Sequence, residues 1–254
     1  MRRLNKDKNW ADMWIMWDME FNVRKCKVMQ IGKRNLHKIY TMDSINLEAT
    51  VIERDLGVII SKDLKVHEQC NSVIKKCNQL VGLICRTFES RDVNIMSRLY
   101  TSLVRPHLDY CLPAWKPFLS GDAELLEKVQ RRFTKKISDY RLMSYEQRLD
   151  FLGWMTVRDR MIRGDMIEVF KMFNGLEKVD WRRYFALNDC VTRGNDLKLY
   201  KRRVNSERAK GSFIYRIVDD WNKLSNAVVL APSLQVFKCR YQDYYRLNRG
   251  LSSS

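Results

Sequence analysis

Five basic residues at helical spacing are the part of this sequence best suited to chemistry, and that chemistry is the binding of phosphate. They lie in the stretch DAELLEKVQRRFTKKI, residues 122–137. At about 100° per residue of an α-helix, their side chains fall within an arc of roughly 140°. Cations on one face can neutralise successive phosphates of a nucleic acid. The five residues are Lys128, Arg131, Arg132, Lys135 and Lys136.

The same stretch carries an apolar stripe on its other side, formed by Leu126, Val129, Phe133 and Ile137. This period predicts a helix that packs one face on a core, with Asp122 capping its first amides. A row of cations opposite a core face is also typical of an ordinary solvated surface. The stretch alone therefore leaves two interpretations open, a phosphate-binding face and a solvated one.

The composition favours a polyanionic partner for a globular chain. Hydrophobic residues make up 45% and charged residues 30% of the 254 positions, which is typical of one large or two to three small globular domains. The chain has 47 Lys and Arg against 30 Asp and Glu, a net charge of +17. Nucleic acid is the first candidate partner and an anionic membrane surface the second. A structural role of the ribosomal type is also compatible with this charge.

Cysteine usage and hydropathy exclude several classes. The seven cysteines include no Cys-x-x-Cys pair and no spacing typical of a zinc site. An odd number of scattered cysteines does not predict a secreted disulfide framework. No run of 18 apolar residues predicts a membrane span, and the first residues lack the apolar core of a signal peptide. We therefore expect an intracellular protein without a metal site.

The periodicity predicts a mainly α-helical fold with a small antiparallel β region at the N-terminus. One helix is predicted over residues 10–21, followed by short strands up to residue 60. From residue 66 onward the apolar period is helical, and Pro106 is expected to end or kink the second helix of this part. Ser144 and Gln147 form a capping-box pattern, and Gly153 is expected to end the helix that they open.

The order of several segments resembles the C-terminal part of the reverse transcriptases of non-LTR retrotransposons, particularly jockey-like elements. The matching segments run almost from end to end of the chain. They are MEFNVRKCKVMQIG at 19–32, ERDLGVII at 53–60, DLKVHEQCN at 63–71, LYTSLVRPHLDYCLPAW at 99–115, LLEKVQRRFTKKI at 125–137, SYEQRLDFLG at 144–153, RMIRGDMIEVFKMFNG at 160–175 and VDDWNKLSNAVVLAPSLQVFK at 218–238.

The resemblance implies three parts. Residues 1–61 correspond to the edge of a polymerase palm with a primer-grip-like hairpin, 62–148 to a helical thumb and 149–254 to a helical C-terminal tail. The β region at the N-terminus would then be a remnant of the palm. The thumb of the family holds the template–primer duplex, so the implied partners are an RNA template with a DNA primer, or an RNA–DNA hybrid. No membrane partner is implied, and the nucleus is the expected location.

The resemblance also assigns roles to residues of the palm part. The sequence from Asn22 to Lys25 is similar to the Asn-x-x-Lys motif of the family, whose lysine lies near the incoming nucleotide. Lys25 is therefore a candidate general acid for the departing pyrophosphate. Leu56 and Gly57 resemble the Leu-Gly of the primer-grip hairpin. Without the resemblance, Lys25 would be interpreted as a turn lysine and Gly57 as a simple bulge.

The palm aspartates of the family have no counterpart in this sequence. Family polymerases hold two Mg²⁺ ions with carboxylates that include an Ala-Asp-Asp hairpin. The only adjacent aspartates here are Asp219 and Asp220, beside Trp221 in a predicted amphipathic helix. Neighbours on a helix point about 100° apart, so a shared metal site is not expected. We therefore expect no cofactor in this chain and no polymerase activity from the chain alone, although Mg²⁺ is implied for the complete enzyme.

Two further interpretations stay open beside a template-binding fragment. The sequence can be part of a complete enzyme whose catalytic residues lie upstream. It can also be a non-catalytic protein-interaction or structural module derived from a decayed element, with Trp181, Tyr184 and Tyr200 as candidate contact residues. Neither the protein partners nor the template preference follow from the sequence.

Overall fold

The computed structural model describes residues 22–32, 35, 38–188 and 195–248. The chain divides into two compact units, with the boundary between Lys65 and Val66. Helices make up most of the described residues, which confirms the predicted mainly α class. The helix predicted for residues 10–21 lies outside the described residues.

The first unit contains short strands in pairs. Two of the described pairs, β2–β3 and β5–β6, are antiparallel, as the sequence predicts, and β1 pairs with β4 in parallel. Only Val58 and Ser61 are buried among the described residues of this unit. The strands are β1 (Lys27–Met29), β2 (Thr41–Met42), β3 (Ile45–Asn46), β4 (Glu48–Thr50), β5 (Ile52–Asp55) and β6 (Val58–Ser61).

The β5–β6 hairpin turns on a loop of two residues, Leu56 and Gly57. Asp55 pairs with Val58, and the two loop residues have φ angles of 44° and 85°. Two positive φ angles are typical of the tight turn that matches the twist of an antiparallel hairpin. Glycine adopts this conformation freely, whereas a leucine there is strained.

The second unit is built from helices joined by short connections. A π-helical segment, Tyr100–Val104, lies between α2 and α3. The helices are α1 (His67–Thr87), α2 (Val93–Leu99), α3 (Arg105–Asp109), α4 (Leu112–Trp115), α5 (Ser120–Thr134), α6 (Tyr145–Leu152), α7 (Val157–Phe173), α8 (Glu207–Gly211), α9 (Phe213–Arg216), α10 (Val218–Asn222), α11 (Asn226–Val229) and α12 (Leu234–Asn248).

Several helix ends lie where the sequence predicts them. Ser144 and Gln147 form the capping box of α6, and Gly153 ends that helix with a φ of 63°. The hydroxyl of Thr156 accepts from the amide of Asp159 and caps α7. Pro106 does not end its helix. Since proline has no amide hydrogen, the helix widens into the π-helical segment, where Arg105 N donates to Tyr100 O, and continues as α3.

The long helix α5 differs in its ends from the helix expected over 122–137. It begins at Ser120 and ends at Thr134, and its N-cap Leu119 provides no side-chain cap. Asp122 is buried in the first turn, and its Oδ1 atom lies 2.7 Å from His67 Nδ1 of α1. The predicted capping role of Asp122 is therefore wrong, because the carboxylate joins two helices instead.

The predicted apolar stripe of α5 is confirmed. Leu126, Val129 and Phe133 are at most 2% exposed, and the ring of Phe133 packs at a tilt of 36° against Tyr100, with 4.8 Å between the ring centroids. A second group of buried residues lies between α7, α10 and α12. There the rings of Phe170 and Phe237 stack at 4.4 Å.

Gln130 of α5 connects elements on both sides of residue 148 and is fully buried. Its Oε1 atom accepts from Tyr100 and from Arg160, both at 2.9 Å. Its Nε2 atom donates to Tyr145 Oη at 3.0 Å and to the carbonyl of Met155 at 2.9 Å. The expected thumb–tail boundary at 148/149 falls inside α6, within one compact unit.

Candidate phosphate-binding groove

A groove of about 520 Å³ runs between the C-terminal half of α5 and the start of α6. Of its eight described lining residues, five are basic and none is acidic. A concave surface lined by one sign of charge concentrates ions of the opposite sign. The lining consists of Lys128, Arg131, Arg132, Lys135, Met143, Ser144, Tyr145 and Arg148, and we call it the basic groove.

The structure brings four of the five predicted cations into the basic groove. Lys128, Arg131 and Arg132 lie on α5, and Lys135 is the residue that follows its last turn, with φ −69° and ψ −13°. Lys136 is exposed beyond the helix end and does not line the groove. The helix is shorter than expected, so the cationic row ends at Lys135.

Two of these arginines already have polar partners, one within α5 itself and one on α1. Arg131 Nη1 lies 2.8 Å from Glu124 Oε1, and both side chains are more than 40% exposed. Arg132 Nη1 donates to Asn78 Oδ1 of α1 at 3.1 Å. Ion pairs between exposed side chains contribute little stability, so a phosphate can replace Glu124 at low cost. Arg131 is nevertheless partly neutralised, and the cationic face is interrupted at that point.

Arg148 is a basic residue of the groove that the sequence pattern does not predict. It lies on α6 and is 2% exposed. Its Nε donates to Ser144 O at 3.3 Å, and its Nη1 donates to Arg131 O at 3.2 Å. Burial lowers its pKa, and the charge of Arg131 lowers it further. The capping box predicts α6 itself, but no local pattern indicates that its fourth residue lies against α5.

Tyr145 forms a wall of the groove, with two guanidinium groups near its ring. The centroid of the ring lies 4.9 Å from Arg131 Cζ and 5.5 Å from Arg148 Cζ. Its hydroxyl donates to Glu127 and accepts from Gln130. Burial and the charge of Glu127 raise its pKa. The phenol therefore stays neutral, and the hydrogen bonds of its hydroxyl hold the ring in place. Cation–π attraction to the ring helps to orient both arginines.

Glu127 anchors this wall to the start of α7. Its carboxylate accepts from the amides of Val157 at 3.1 Å and Arg158 at 3.2 Å, in addition to the Tyr145 hydroxyl. A carboxylate at a helix N-terminus is stabilised by the free amides and by the helix dipole. The acid closest in sequence to the groove cations is thus occupied in structural bonds.

The residues implied by the resemblance for the palm part lie in the first unit. Lys25 is exposed at the end of a 3₁₀ turn, Val23–Lys25, whose last amide donates to Asn22 O at 2.9 Å. Leu56 is 84% exposed at the tip of the β5–β6 hairpin, beside Gly57. The general-acid role of Lys25 and the primer-grip role of Leu56 and Gly57 stay predictions.

The adjacent aspartates do not fit a two-metal centre. Asp219 pairs with Lys201, and Asp220 lies 3.6 Å from Lys223 Nζ. Across the residues that the structure describes, no group of three or more His, Cys, Asp or Glu side chains is placed to hold a metal ion.

Within the described ranges, no helix combines the length and the apolar character needed to cross a bilayer. Comparisons with known proteins add no relative: no protein-family model, no curated protein and no solved structure matches this chain.

Proposed function

We propose that this chain is the C-terminal part of an RNA-directed DNA polymerase of a non-LTR retrotransposon, and that it binds the template–primer backbone without catalysing polymerisation. The observation that carries the proposal is the basic groove, in which five cations and no described acid line one concavity. The net charge of +17 and the ordered sequence resemblance support it.

The groove suits backbone binding rather than base reading. Lys128 and Lys135 are seven residues apart, which is about 10 Å along a helix. One strand of a duplex presents a phosphate every ~3.4 Å of its axis, so the groove spans about three phosphates. Arginine presents paired donors that match two phosphate oxygens, whereas lysine acts as a point charge. Contacts of this kind position a duplex and carry no sequence information.

In the complete enzyme, the first unit would form the edge of the palm. The short strands and the exposed Leu56–Gly57 loop support this assignment, since a hairpin tip can approach a primer strand closely. Lys25 would donate a proton from Nζ to the pyrophosphate that leaves. The palm aspartates that hold the Mg²⁺ ions would belong to a part of the enzyme outside this chain.

Binding of an RNA–DNA hybrid by the full chain, measured as a function of salt, tests the proposal. If between three and five phosphates are neutralised, log Kobs falls against log salt with a slope between about −2.7 and about −4.5. Hybrids of unrelated sequence should bind equally. Binding that does not change between 50 and 200 mM salt, or that depends on base sequence, would contradict the proposal.

A second candidate is a protein-interaction module, and exposed aromatic rings favour it. Tyr184 is 43% and Tyr200 is 56% exposed. Trp181, in contrast, packs on Phe173 with 4.5 Å between ring centroids and lies partly buried against the group of buried residues between α7, α10 and α12. Co-purification of a protein after nuclease treatment, lost when both tyrosines are changed to serine, would favour this alternative.

A further inference from the structure

Arg148 differs in its partners from Arg160, the other buried arginine among the described residues, and from the half-buried Arg216. Arg160 is 6% exposed and its Nε lies 2.7 Å from Asp109 Oδ1. Arg216 contacts Asp165 at 2.8 Å. Arg148 is 2% exposed, yet among the described side chains no carboxylate lies within ion-pair distance of it. A buried charge without a counter-charge is costly, so its position requires an explanation.

A second cation lies beside it. Arg131 and Arg148 both contact the Tyr145 ring, and both line the basic groove. Their like charges repel each other, and Glu124 reaches Arg131 only. The protein therefore holds two guanidinium groups together, with Glu124 paired to Arg131 and the charge of Glu146 acting on Arg148 without a direct ion pair. An anion bound to both arginines would offset their repulsion and give Arg148 a counter-charge in direct contact.

The start of α6 contributes to the same place. Ser144, the N-cap, and Tyr145, the first helical residue, both line the groove. The positive end of the helix dipole thus lies beside the two arginines and favours an anion there. Guanidinium groups bind tetrahedral oxyanions with paired hydrogen bonds, and phosphate matches this donor set.

We propose that Arg131 and Arg148, held over the Tyr145 ring, form a discrete subsite for one phosphate group within the basic groove. The proposal rests on the proposed function only for the source of that phosphate. A phosphodiester of a bound nucleic acid and a free inorganic phosphate or phosphomonoester share the chemistry that this subsite recognises. Lys128, Arg132 and Lys135 then provide the less specific part of the groove.

The first experiment measures inorganic phosphate binding to the full chain by isothermal titration calorimetry. Arg148→Met removes the guanidinium and keeps an apolar side chain of similar length. We expect it to weaken phosphate binding at least tenfold. Arg98→Met removes the same charge from an exposed site on α2 and should change the affinity less than twofold. Equal losses in both variants, or none in Arg148→Met, would overturn a discrete phosphate subsite.

The second experiment distinguishes the two sources, with an RNA–DNA hybrid as the probe. If the subsite takes a phosphodiester, Arg148→Met lowers the magnitude of the salt slope by about 0.9. If it takes free phosphate, only inorganic phosphate binding is lost, and hybrid binding stays as in Arg98→Met. Hybrid binding that persists while neither probe responds to Arg148→Met refutes the subsite and leaves the proposed function intact. Phosphate binding that depends on Arg148, without any hybrid binding, supports the subsite and refutes the proposed function.

Folding of each variant is checked by circular dichroism. Arg148→Lys keeps the charge but lacks the paired donors, so we expect a several-fold loss of phosphate affinity in a folded protein. If Arg148→Met does not fold, the half-buried Arg131→Met takes its place with the same expected loss. Wild-type phosphate affinity in both Arg148→Lys and Arg131→Met would overturn the proposal.

Discussion

Arg216 donates two hydrogen bonds to Asp165, from Nε to Oδ2 at 3.0 Å and from Nη2 to Oδ1 at 2.8 Å. Asp165 is 1% exposed and lies on α7, and Lys116 Nζ binds the same Oδ2 atom at 2.7 Å. One carboxylate thus neutralises two cations from separate helical segments. Paired donors on a buried acid are the strongest of the side-chain interactions.

Asp165→Asn should destabilise the second unit by about 3–5 kcal/mol, because Lys116 and Arg216 are left without a counter-charge. Urea unfolding followed by circular dichroism measures the change. Asp219→Asn is the matched control, since Asp219 pairs with Lys201 at the surface, and it should cost less than about 1 kcal/mol. Equal effects of the two substitutions would contradict the expectation.

The loss in Asp165→Asn should depend on pH. Burial lowers the pKa of Lys116, and the charge of Asp165 opposes that shift. Without Asp165 the pKa of Lys116 in the folded protein falls further. At pH values between this lowered pKa and the ordinary pKa of lysine, the unfolded chain therefore binds more protons than the folded one. Stability of the variant therefore rises with pH across that interval. Unfolding curves of the variant at two alkaline pH values check the sign. A lower stability at the higher of the two pH values would contradict it.

Charge reversal in the basic groove should abolish hybrid binding. The variant Arg131→Glu, Arg132→Glu, Lys135→Glu places three acids where a phosphate backbone would lie, and its helicity should be unchanged because these side chains are outside the core. The control Arg98→Glu, Lys178→Glu, Arg202→Glu changes the net charge equally at exposed positions. Electrophoretic mobility shift or anisotropy compares the two. If both variants lose binding equally, net charge rather than the groove is responsible.

The tip of the β5–β6 hairpin should tolerate Asn better than Leu. Leu56 has a φ of 44° and is 84% exposed, so Leu56→Asn removes strain and no core contact. We expect stronger amide protection of β5 and β6, equivalent to about 0.5–1 kcal/mol. Gly57→Ala, at a φ of 85°, should reduce protection. Hydrogen exchange measures both changes in protection. A change of the same sign in the two variants would contradict the prediction.

Limited proteolysis should cleave the first unit before the second. Its described strands have two to four residues, and Ile39, Ile45 and Ile52 are exposed there. Paired strands this short have little independent stability. Mass spectrometry of a trypsin time course should show cuts before residue 66 while larger fragments that contain α5 and α7 persist. Equal protection of both units would contradict this prediction.

Local patterns predicted the elements well and the site only partly. The stripe of α5, the capping box at Ser144 and the termination at Gly153 depend on residues three or four apart, so the sequence alone contains them. Arg148 reaches the groove through packing of α6 on α5, and no local period encodes that contact.

The stretch 195–210 shows the same limit. Its polar composition is typical of an exposed segment, yet Asn195 is 4% exposed. Its Nδ2 atom donates to the carbonyls of Trp221 at 3.0 Å and Leu224 at 2.9 Å. A polar residue can be buried where partners distant in sequence satisfy it, and composition does not reveal those partners.

Glu127 and Gln130 link the groove to residues 155–158: the Glu127 carboxylate accepts from the amides of Val157 and Arg158, and Gln130 Nε2 donates to the carbonyl of Met155. The basic groove therefore does not form independently of the residues that follow α6. A chain that ended after α6 would leave the side chains of Glu127 and Gln130 without these hydrogen-bond partners, next to Tyr145. Loss of the C-terminal helices would therefore weaken a surface to whose lining none of their described residues contributes.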